Sequence, residues 1–366
     1  MSQRINDYES LIADDIPIID TRAPIEFHRG SLPSAINAPL LNDQEREEIG
    51  RCFKAAGQDA AIALGHELVA GATKQSRVEA WRRLTVEHPQ GALMCFRGGL
   101  RSTISQQWLE QIEVSYPVID GGYKAVRSWL LTQLETISES LNLLIIAGKT
   151  GVAKTDLITA TKASIDLEGC AQHRGSAFGK RPIAQPSQID FENDLITKLV
   201  KHQRAGTGTL LLEDESRLIG RCAIPLPLHL VMQRAPIYVL EGSLADRINH
   251  SHQHYILDNL REWIELTGDQ DLAFESFSES LLNAALSIRK RLGGNRHQYL
   301  MKLMHSALAA HTKGDASGHR RWIGYLLTDY YDPMYDYQLL KRQDRVVFKG
   351  TRVEIDAALR AAGIDI

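Results

Sequence analysis

The chain has few cysteines and no long apolar run, and each scarcity excludes a class of protein. Its 366 residues contain only four cysteines, and no two of them form a C-x-x-C pair. Neither a disulfide framework nor a zinc knuckle is therefore expected. The apolar runs stop well short of the roughly 20 residues that a bilayer span requires, and no basic stretch followed by an apolar run opens the chain. We therefore expect a cytoplasmic protein.

Charge is nearly balanced overall but uneven along the chain. The formal net charge of -3 argues against a protein that is basic throughout. The exception is the stretch from residue 287 to residue 321, which carries eight lysines and arginines against one acid, Asp315. Such a basic segment is typical of a surface that docks a polyanion, although an ordinary solvated helical face is the alternative.

Short apolar runs alternate with helix-like patterns and predict an α/β fold of more than one domain. The first sheet is predicted from IPIID, ALMCF and YPVID, and the second from LNLLIIAG, GTLLLED and PIYVLEG. The polar junction ETISES separates them. We predict a parallel-sheet domain over residues 1–136, a P-loop α/β domain over 141–255 and a mainly helical region over 256–366.

A cysteine stands at the turn between a predicted strand and a predicted helix. Cys95 opens the sequence CFRGGLRS, where a Gly-rich loop, a helix N-terminus, Arg97 and Arg101 all favour a thiolate, the nucleophilic form of cysteine. A buried core cysteine would not need two glycines and two arginines after it. The sequence therefore predicts a catalytic site at Cys95, Arg97 and Arg101.

The segments around this loop resemble those of rhodanese-like domains. The stretches IIDTRAPIEFHRGSLPSAINAPL and IDGGYKAV match the family's signature segments, and Cys95 matches the nucleophile that carries a chalcogen as a persulfide. The spacing C-x5-R is one residue longer than is usual in sulfur-transferring rhodaneses and suits a larger anion. It also resembles the loop of cysteine-dependent phosphatases, in which cysteine attacks phosphorus. Against a phosphatase, Met94 stands where those enzymes usually have histidine.

A phosphate-binding loop is predicted at the start of the second domain. LLIIAGKTGVAKTDLI combines a buried strand, a Gly-containing turn and a helix start, which is the context of a P-loop. Backbone N–H groups would bind a diphosphate, Lys154 would neutralise it and Thr155 would reach Mg²⁺. Ala153 replaces the usual second glycine and argues against ordinary nucleotide hydrolysis. The phosphate-binding residues predicted from this loop are Gly148, Gly151, Lys154 and Thr155.

Two further segments offer groups for the same site. LLLEDESRLIG places Glu213 and Asp214 at the end of a buried strand, where acids hold Mg²⁺, and Asp214 with Thr155 is the predicted magnesium pair. HRGSAFGKR offers Arg174 to a second anion, with a plain surface loop as the alternative. His250 and His254 have a metal-capable i, i+4 spacing without an evident third ligand, and we favour a polar or RNA-contacting stretch there.

The order of these elements, together with CFRGGLRS, HRGSAFG, EDESRLIG and YYDPMYDYQL, resembles the tRNA 2-selenouridine synthase family along nearly the whole chain. The resemblance implies a transferase that replaces sulfur by selenium in wobble 2-thiouridine, with selenophosphate as donor. It further implies that geranyl diphosphate first geranylates the sulfur. The tRNA contacts would then come from the basic segment, through Arg289, Lys290, Arg291, Arg296, Arg320 and Arg321.

Two other functions remain open on the sequence. One is a rhodanese-type sulfurtransferase or cysteine-dependent phosphatase whose P-loop is regulatory. The other is a non-catalytic RNA-binding protein, which the intact Cys95 and Lys154 disfavour.

Overall fold

A computed structural model describes residues 3–206 and 208–366, and the chain divides into two compact units. The first comprises Met1–Ile137 and Ser187–Gly206, and the second comprises Ser138–Pro186 and Thr207–Ile366. Both units contain a five-stranded parallel sheet covered by helices, so the predicted α/β fold class is confirmed. Every helix among the described residues is too short or too polar to cross a bilayer.

The sheet of the first unit is built from short buried strands. Its order across the sheet is Arg4–Ile5, Val118–Ile119, Ala92–Met94, Ile18–Asp20 and Ala35–Asn37, all parallel. Apolar side chains of the strands pack with Trp81 and Trp108 into one core. The helices of this unit are Tyr8–Ala13, Pro24–Phe27, Asp43–Leu68, Gly71–Glu87, Leu100–Glu110, Gly122–Ser140 and Gln188–Ala205. The non-helical backbone of Gly57, with a φ of +86°, divides Asp43–Leu68 into two helical segments. The last residues of Gly122–Ser140, from Ser138 on, belong to the second unit.

The helix Gln188–Ala205 lies in the middle of the predicted P-loop range but belongs to the first unit. Asp190 accepts a hydrogen bond from the Ser31 backbone N–H at 2.7 Å. Asn193 donates to the Ser31 carbonyl at 2.6 Å and accepts from Arg127 at 2.7 Å. These polar contacts join a helix to segments more than 60 residues away, which local sequence patterns do not encode.

The sheet of the second unit contains the P-loop strand at its centre. Its order is Val346–Gly350, Ile237–Leu240, Leu143–Gly148, Leu210–Glu213 and Ser164–Ile165, all parallel. A separate antiparallel pair is formed by Leu218–Ile219 and Cys222–Ala223. The strand Val346–Gly350 brings the end of the chain into this sheet, so part of the predicted helical region 256–366 completes the P-loop sheet.

The helices of the second unit cover this sheet and build a separate helical core. Phe277, Trp322 and Leu326 lie in that core. Two π-helical turns, Gln253–Asp258 and Leu327–Tyr331, interrupt its longer helices. The α-helices are Lys154–Ala160, Leu167–Ala171, Leu226–Met232, Leu244–His252, Asn259–Thr267, Gln270–Ser287, Arg289–Leu292, Gly294–His311, His319–Leu326, Asp332–Leu340 and Arg352–Ala361, and Gln343–Arg345 is a 3₁₀-helix.

Candidate active site

The cysteine of the predicted loop is buried at the carboxyl end of a central strand. Cys95 follows the strand Ala92–Met94 directly and is 3% exposed. Its Sγ lies 3.1 Å from the hydroxyl of Ser102, a residue that is itself fully buried in the next helix. A hydroxyl at this distance stabilises a thiolate by donating to it. Sequence reasoning missed Ser102, although it closes the quoted segment CFRGGLRS.

The backbone after Cys95 forms a loop with free N–H groups. Within the described chain, the N–H groups of residues 96–99 donate to no protein acceptor. The carbonyl of Cys95 instead accepts from the Tyr123 N–H at 2.9 Å. A Cβ atom on Gly122 would lie 2.3 Å from that carbonyl, so only glycine allows the two segments to approach. Free N–H groups around a sulfur nucleophile suit an anionic substrate.

The two arginines of the loop have different surroundings. Arg101 forms a two-point pair with Glu26, and its second nitrogen lies 3.1 Å from Glu26 Oε1. Burial would raise the pKa of Glu26, but the hydrogen bond and charge of Arg101, with Arg46 nearby, lower that pKa below its usual value. Arg97 is exposed and forms no ion pair among the described residues. Glu26 therefore fixes Arg101 in position, whereas Arg97 remains available to an incoming anion.

The phosphate loop connects the strand Leu143–Gly148 to the helix Lys154–Ala160. The Lys154 ammonium donates to the Gly148 carbonyl at 2.9 Å. Gly151 has a φ of +82°, and a Cβ there would lie 2.5 Å from the Ser251 hydroxyl. Ala153 also has a positive φ, +65°, which costs a non-glycine residue about 1 kcal/mol. The loop thus has the left-handed turn of a P-loop despite the missing glycine.

Three carboxylates gather beside this loop. Glu168, Glu213 and Glu215 bring oxygens within 4.8 Å of one another. The Thr155 hydroxyl donates to Glu213 Oε1 at 2.7 Å, while Glu213 Oε2 is buried without a hydrogen-bond partner. Burial, reinforced by the charge of Glu168, raises the pKa of Glu213 to about 8. A buried carboxylate set with an unpartnered oxygen suits a divalent cation.

The structure places Asp214 differently from the predicted magnesium pair. Its carboxylate forms a two-point ion pair with Arg342 at 2.6 and 2.8 Å. Adjacent residues of an extended segment point to opposite faces, so Glu213 and Asp214 cannot both face Thr155. Glu213 and Glu168 are the acids next to Thr155. No local pattern indicated Glu168, because it precedes Glu213 by 45 positions and only the fold brings the two together.

The other predicted anion-binding residue, Arg174, is engaged by a carboxylate. Its guanidinium donates to Glu262 Oε1 at 2.8 Å, and Arg181 binds the same carboxylate at 2.9 Å. One nitrogen of Arg174, Nη1, is buried without a partner. The loop itself is closed by a bridge between His173 and Lys180. Arg174 therefore keeps one free donor while Glu262 fixes its orientation.

Acidic side chains of the motif YYDPMYDYQL fix the phosphate loop through ion pairs. Asp332 forms a two-point pair with Arg247 at 2.6 and 3.0 Å, and Arg247 donates to the Thr150 carbonyl at 2.9 Å. Asp336 binds Lys149 at 3.0 Å. Two acids of the helix Asp332–Leu340 thus fix the loop that precedes Lys154, one of them through Arg247.

The structure places a third possible metal ligand beside the two histidines of the i, i+4 pair. His250, His254 and Asp156 bring possible ligand atoms within 4.8 Å of one another. His254 Nδ1 lies 2.9 Å from Asp258, and His250 Nδ1 lies 3.8 Å from Asp156. The sequence did not indicate Asp156, because the tertiary fold brings it to the two histidines.

The basic segment is exposed in the second unit. The six residues predicted to bind RNA are all exposed, and none forms an ion pair with an acid in the described part of the chain. Arg289, Lys290 and Arg291 lie in one short helix after Gln270–Ser287. Uncompensated cations at the surface are available to phosphates.

A buried thiol beside free backbone donors and a P-loop beside clustered carboxylates define an α/β group-transfer enzyme. Residues 141–364 match the family model described as the tRNA 2-selenouridine synthase AAA domain. The tRNA 2-selenouridine synthase of Hahella chejuensis is 52% identical over 350 residues, which are 95% of this chain and 92% of that protein. Those of Marinobacter nauticus and Pseudomonas syringae pv. syringae are 47% and 45% identical and cover 94% and 98% of both chains.

The chain belongs to the tRNA 2-selenouridine synthase family. The resemblance inferred from the sequence motifs is therefore confirmed, and the protein is an enzyme of the tRNA-modifying transferase class.

Proposed function

We propose that this enzyme replaces sulfur by selenium at C2 of wobble 2-thiouridine in tRNA, with selenophosphate as the selenium donor and an S-geranylated intermediate. The exchange of selenium for sulfur follows from the names of its relatives. One observation supports a reaction in two steps: the protein has two separate anion sites, the free N–H groups after Cys95 and the P-loop at Lys154.

The first step uses the phosphate loop. The sulfur of 2-thiouridine attacks C1 of geranyl diphosphate, a carbon–sulfur bond forms, the carbon–oxygen bond breaks and diphosphate leaves with the electron pair, while N3 loses its proton. Within the described chain, the N–H groups of Thr150, Gly151 and Ala153 meet no protein acceptor and are free for the diphosphate. Lys154 neutralises its charge.

The carboxylates beside the loop fit a magnesium ion. Glu213 has a buried oxygen without a partner, and Thr155 contributes a hydroxyl next to it, so the residues present match the oxygen ligands that Mg²⁺ prefers. Bound there, Mg²⁺ would neutralise charge on the leaving diphosphate. Glu168 and Glu215 would complete the carboxylate set. Burial raises the pKa of both groups, and so does a neighbouring carboxylate, Glu215 for Glu168 and Glu213 for Glu215, a repulsion that a bound cation would relieve.

The second step uses the cysteine loop. The Cys95 thiolate attacks the phosphorus of selenophosphate, so a sulfur–phosphorus bond forms, the phosphorus–selenium bond breaks and hydrogen selenide leaves. Hydrogen selenide attacks C2 of the geranylated uridine, its proton passes to N3 and geranylthiolate departs. Water then hydrolyses the phosphocysteine to phosphate. The arrangement of Cys95, Ser102 and an Arg101 fixed by Glu26 supports attack on phosphorus, because it surrounds a thiolate with donors for a tetrahedral anion.

The tRNA is held, we propose, by the exposed basic segment through Arg289, Lys290, Arg291, Arg296, Arg320 and Arg321. A wobble base is unpaired, so it can enter a pocket without the cost of breaking a base pair. The phosphate contacts would position the RNA without reading its sequence.

Nucleoside mass spectrometry of tRNA tests the proposal. A deletion strain grown with selenite should lose 2-selenouridine. The same strain complemented with Cys95→Ser should accumulate S-geranyl-2-thiouridine, and complemented with Lys154→Ala it should accumulate 2-thiouridine. An unchanged profile in the deletion strain contradicts the function, and equal loss of both products in Cys95→Ser contradicts the assignment of the two steps.

The phosphatase-like arrangement around Cys95 also favours a second candidate, a cysteine-dependent phosphatase with a regulatory P-loop. That function predicts phosphate release from selenophosphate or aryl phosphates at the same rate with and without tRNA. The proposed transferase, in which the released hydrogen selenide attacks the geranylated uridine, predicts that phosphate release in the presence of geranylated tRNA is matched by formation of 2-selenouridine.

A further inference from the structure

A large cavity in the first unit includes the cysteine loop and extends well beyond it. Its volume is about 1140 Å³, slightly above the roughly 300–1,000 Å³ of small-molecule sites. One wall is the helix Asp43–Leu68, which contributes an apolar face, and another is the cysteine loop with the helix after it. The apolar side chains that line it include Ile49, Phe53, Ile62, Leu100, Ile104 and Trp108.

The mouth of this cavity is apolar with a cationic rim. Phe53 is 55% exposed and Leu100 is 50% exposed, although both are large hydrophobic residues. Arg51, Lys54 and Arg97 also border the cavity. Exposed apolar side chains beside cations match a ligand that has an apolar chain and an anionic remainder.

Small residues on the wall helix keep the cavity open. A Cβ atom on Gly65 would meet one neighbouring atom, Ile49 Cδ1, at an ordinary contact distance of 3.5 Å. Close packing therefore does not require glycine at this helical position, where glycine costs about 1 kcal/mol relative to alanine. The space in front of Gly65 is therefore not filled by the protein and can take part of a ligand.

We propose that this cavity binds the geranyl chain of the S-geranylated 2-thiouridine during selenation. The inference rests on the proposed function and adds the location and role of the prenyl group. Cys95 lines the same cavity. A geranyl chain buried there would therefore place the bond between C2 of the uridine and its sulfur beside Cys95 Sγ, where hydrogen selenide is released. The geranyl group thus positions the substrate as well as leaving with sulfur.

Substrates of different chain length test this assignment in the full-length enzyme. Anticodon stem-loops would carry 2-thiouridine S-alkylated with methyl, dimethylallyl, geranyl or farnesyl groups, and kcat and KM for 2-selenouridine formation would be measured with saturating selenophosphate. Because a single methylene in an apolar pocket changes kcat/KM by roughly tenfold or more, geranyl should exceed methyl by at least about that factor.

Two cavity variants and one control distinguish an effect of cavity size on chain-length preference from a general loss of activity. Gly65→Leu fills the cavity and should move the preference towards dimethylallyl, whereas Ile62→Ala enlarges it and should favour farnesyl. Ala63→Leu lies on the same helical segment, after the break at Gly57, at an exposed position that does not border the cavity, and it should keep the geranyl preference. Circular dichroism checks that each variant is folded, and Ile62→Ala retains the test if Gly65→Leu does not fold.

The possible outcomes distinguish this inference from the function on which it depends. If the wild-type enzyme converts none of the four substrates, the proposed function fails. If it converts them all but chain length has no effect, or both cavity variants slow every chain equally, only the cavity assignment fails.

A binding measurement gives an independent readout without turnover. Cys95→Ser protein should bind S-geranyl-2-thiouridine in calorimetry with a negative heat-capacity change, the sign of apolar burial. Adding Gly65→Leu should weaken this binding by about tenfold. Equal affinity in the two proteins would overturn the assignment.

Discussion

The hydroxyl oxygen of Ser102 lies 3.1 Å from the sulfur of Cys95, and both residues are buried, Cys95 at the end of a strand and Ser102 in the first turn of the next helix. The same hydroxyl is 3.1 Å from the Gly99 carbonyl. Ser102 can therefore rotate its proton between a backbone acceptor and the sulfur. Donation to the sulfur stabilises the thiolate without adding a charge to the loop.

Removal of this hydroxyl should slow the chemistry of the thiol. A hydrogen bond to a charged group contributes about 1.5–3 kcal/mol, so Ser102→Ala should reduce alkylation of Cys95 by iodoacetamide at neutral pH by about tenfold or more. Selenation should slow similarly while geranylation is unchanged. Ser105→Ala, on the same buried helix face, is the control. An unchanged alkylation rate in Ser102→Ala would show that the hydroxyl donates only to Gly99.

The carboxylates beside Thr155 should make magnesium binding dependent on pH. The pKa of Glu213 is raised to about 8, so below that pH its carboxyl group holds a proton that a cation must displace. Apparent Mg²⁺ affinity should therefore increase as pH rises from about 6 to about 8 and level off above it. Glu213→Gln should weaken binding and flatten this dependence. Calorimetric titration with MgCl₂ measures both, and an affinity independent of pH in the wild type would contradict the site.

The ion pair between Arg247 and Asp332 should stabilise the phosphate loop. Both side chains are largely buried, and removing one partner leaves an uncompensated charge that costs about 3–5 kcal/mol. Asp332→Ala should lower the free energy of unfolding by this amount and impair geranylation more than selenation. Denaturant unfolding measures the first effect. The exposed pair of Arg82 and Glu79 is the comparison, and Glu79→Ala should leave the free energy of unfolding nearly unchanged.

Neutralising the basic segment should weaken binding by a similar factor for every tRNA sequence. Arg289→Ala combined with Arg291→Ala removes two exposed cations, so KM for tRNA should rise and the salt dependence of binding should fall by about one per lost phosphate contact. Filter binding at several salt concentrations measures the slope. Arg82→Ala, an exposed arginine of the first unit, should have no effect. An unaltered slope in the double variant would identify the segment as an ordinary solvated helix.

Local sequence was sufficient where function depends on adjacent residues. The turn after Cys95 and the phosphate loop are each contained in about ten residues, because a strand, a glycine turn and a helix start determine the backbone there. The α/β class and the parallel sheets also followed from the alternation of apolar runs and helical patterns.

Tertiary structure decided which distant side chains meet. The sequence could not choose between Glu213 and Asp214, because the choice depends on which face of the strand meets Thr155 and on the presence of Arg342 opposite Asp214. The cavity beside Cys95 likewise requires the helix Asp43–Leu68 to turn its apolar face to the cysteine loop. The sequence by itself determined the two reactive loops, since each is a local backbone conformation. Only the fold decided their partners, since side chains far apart in the chain are brought together by packing.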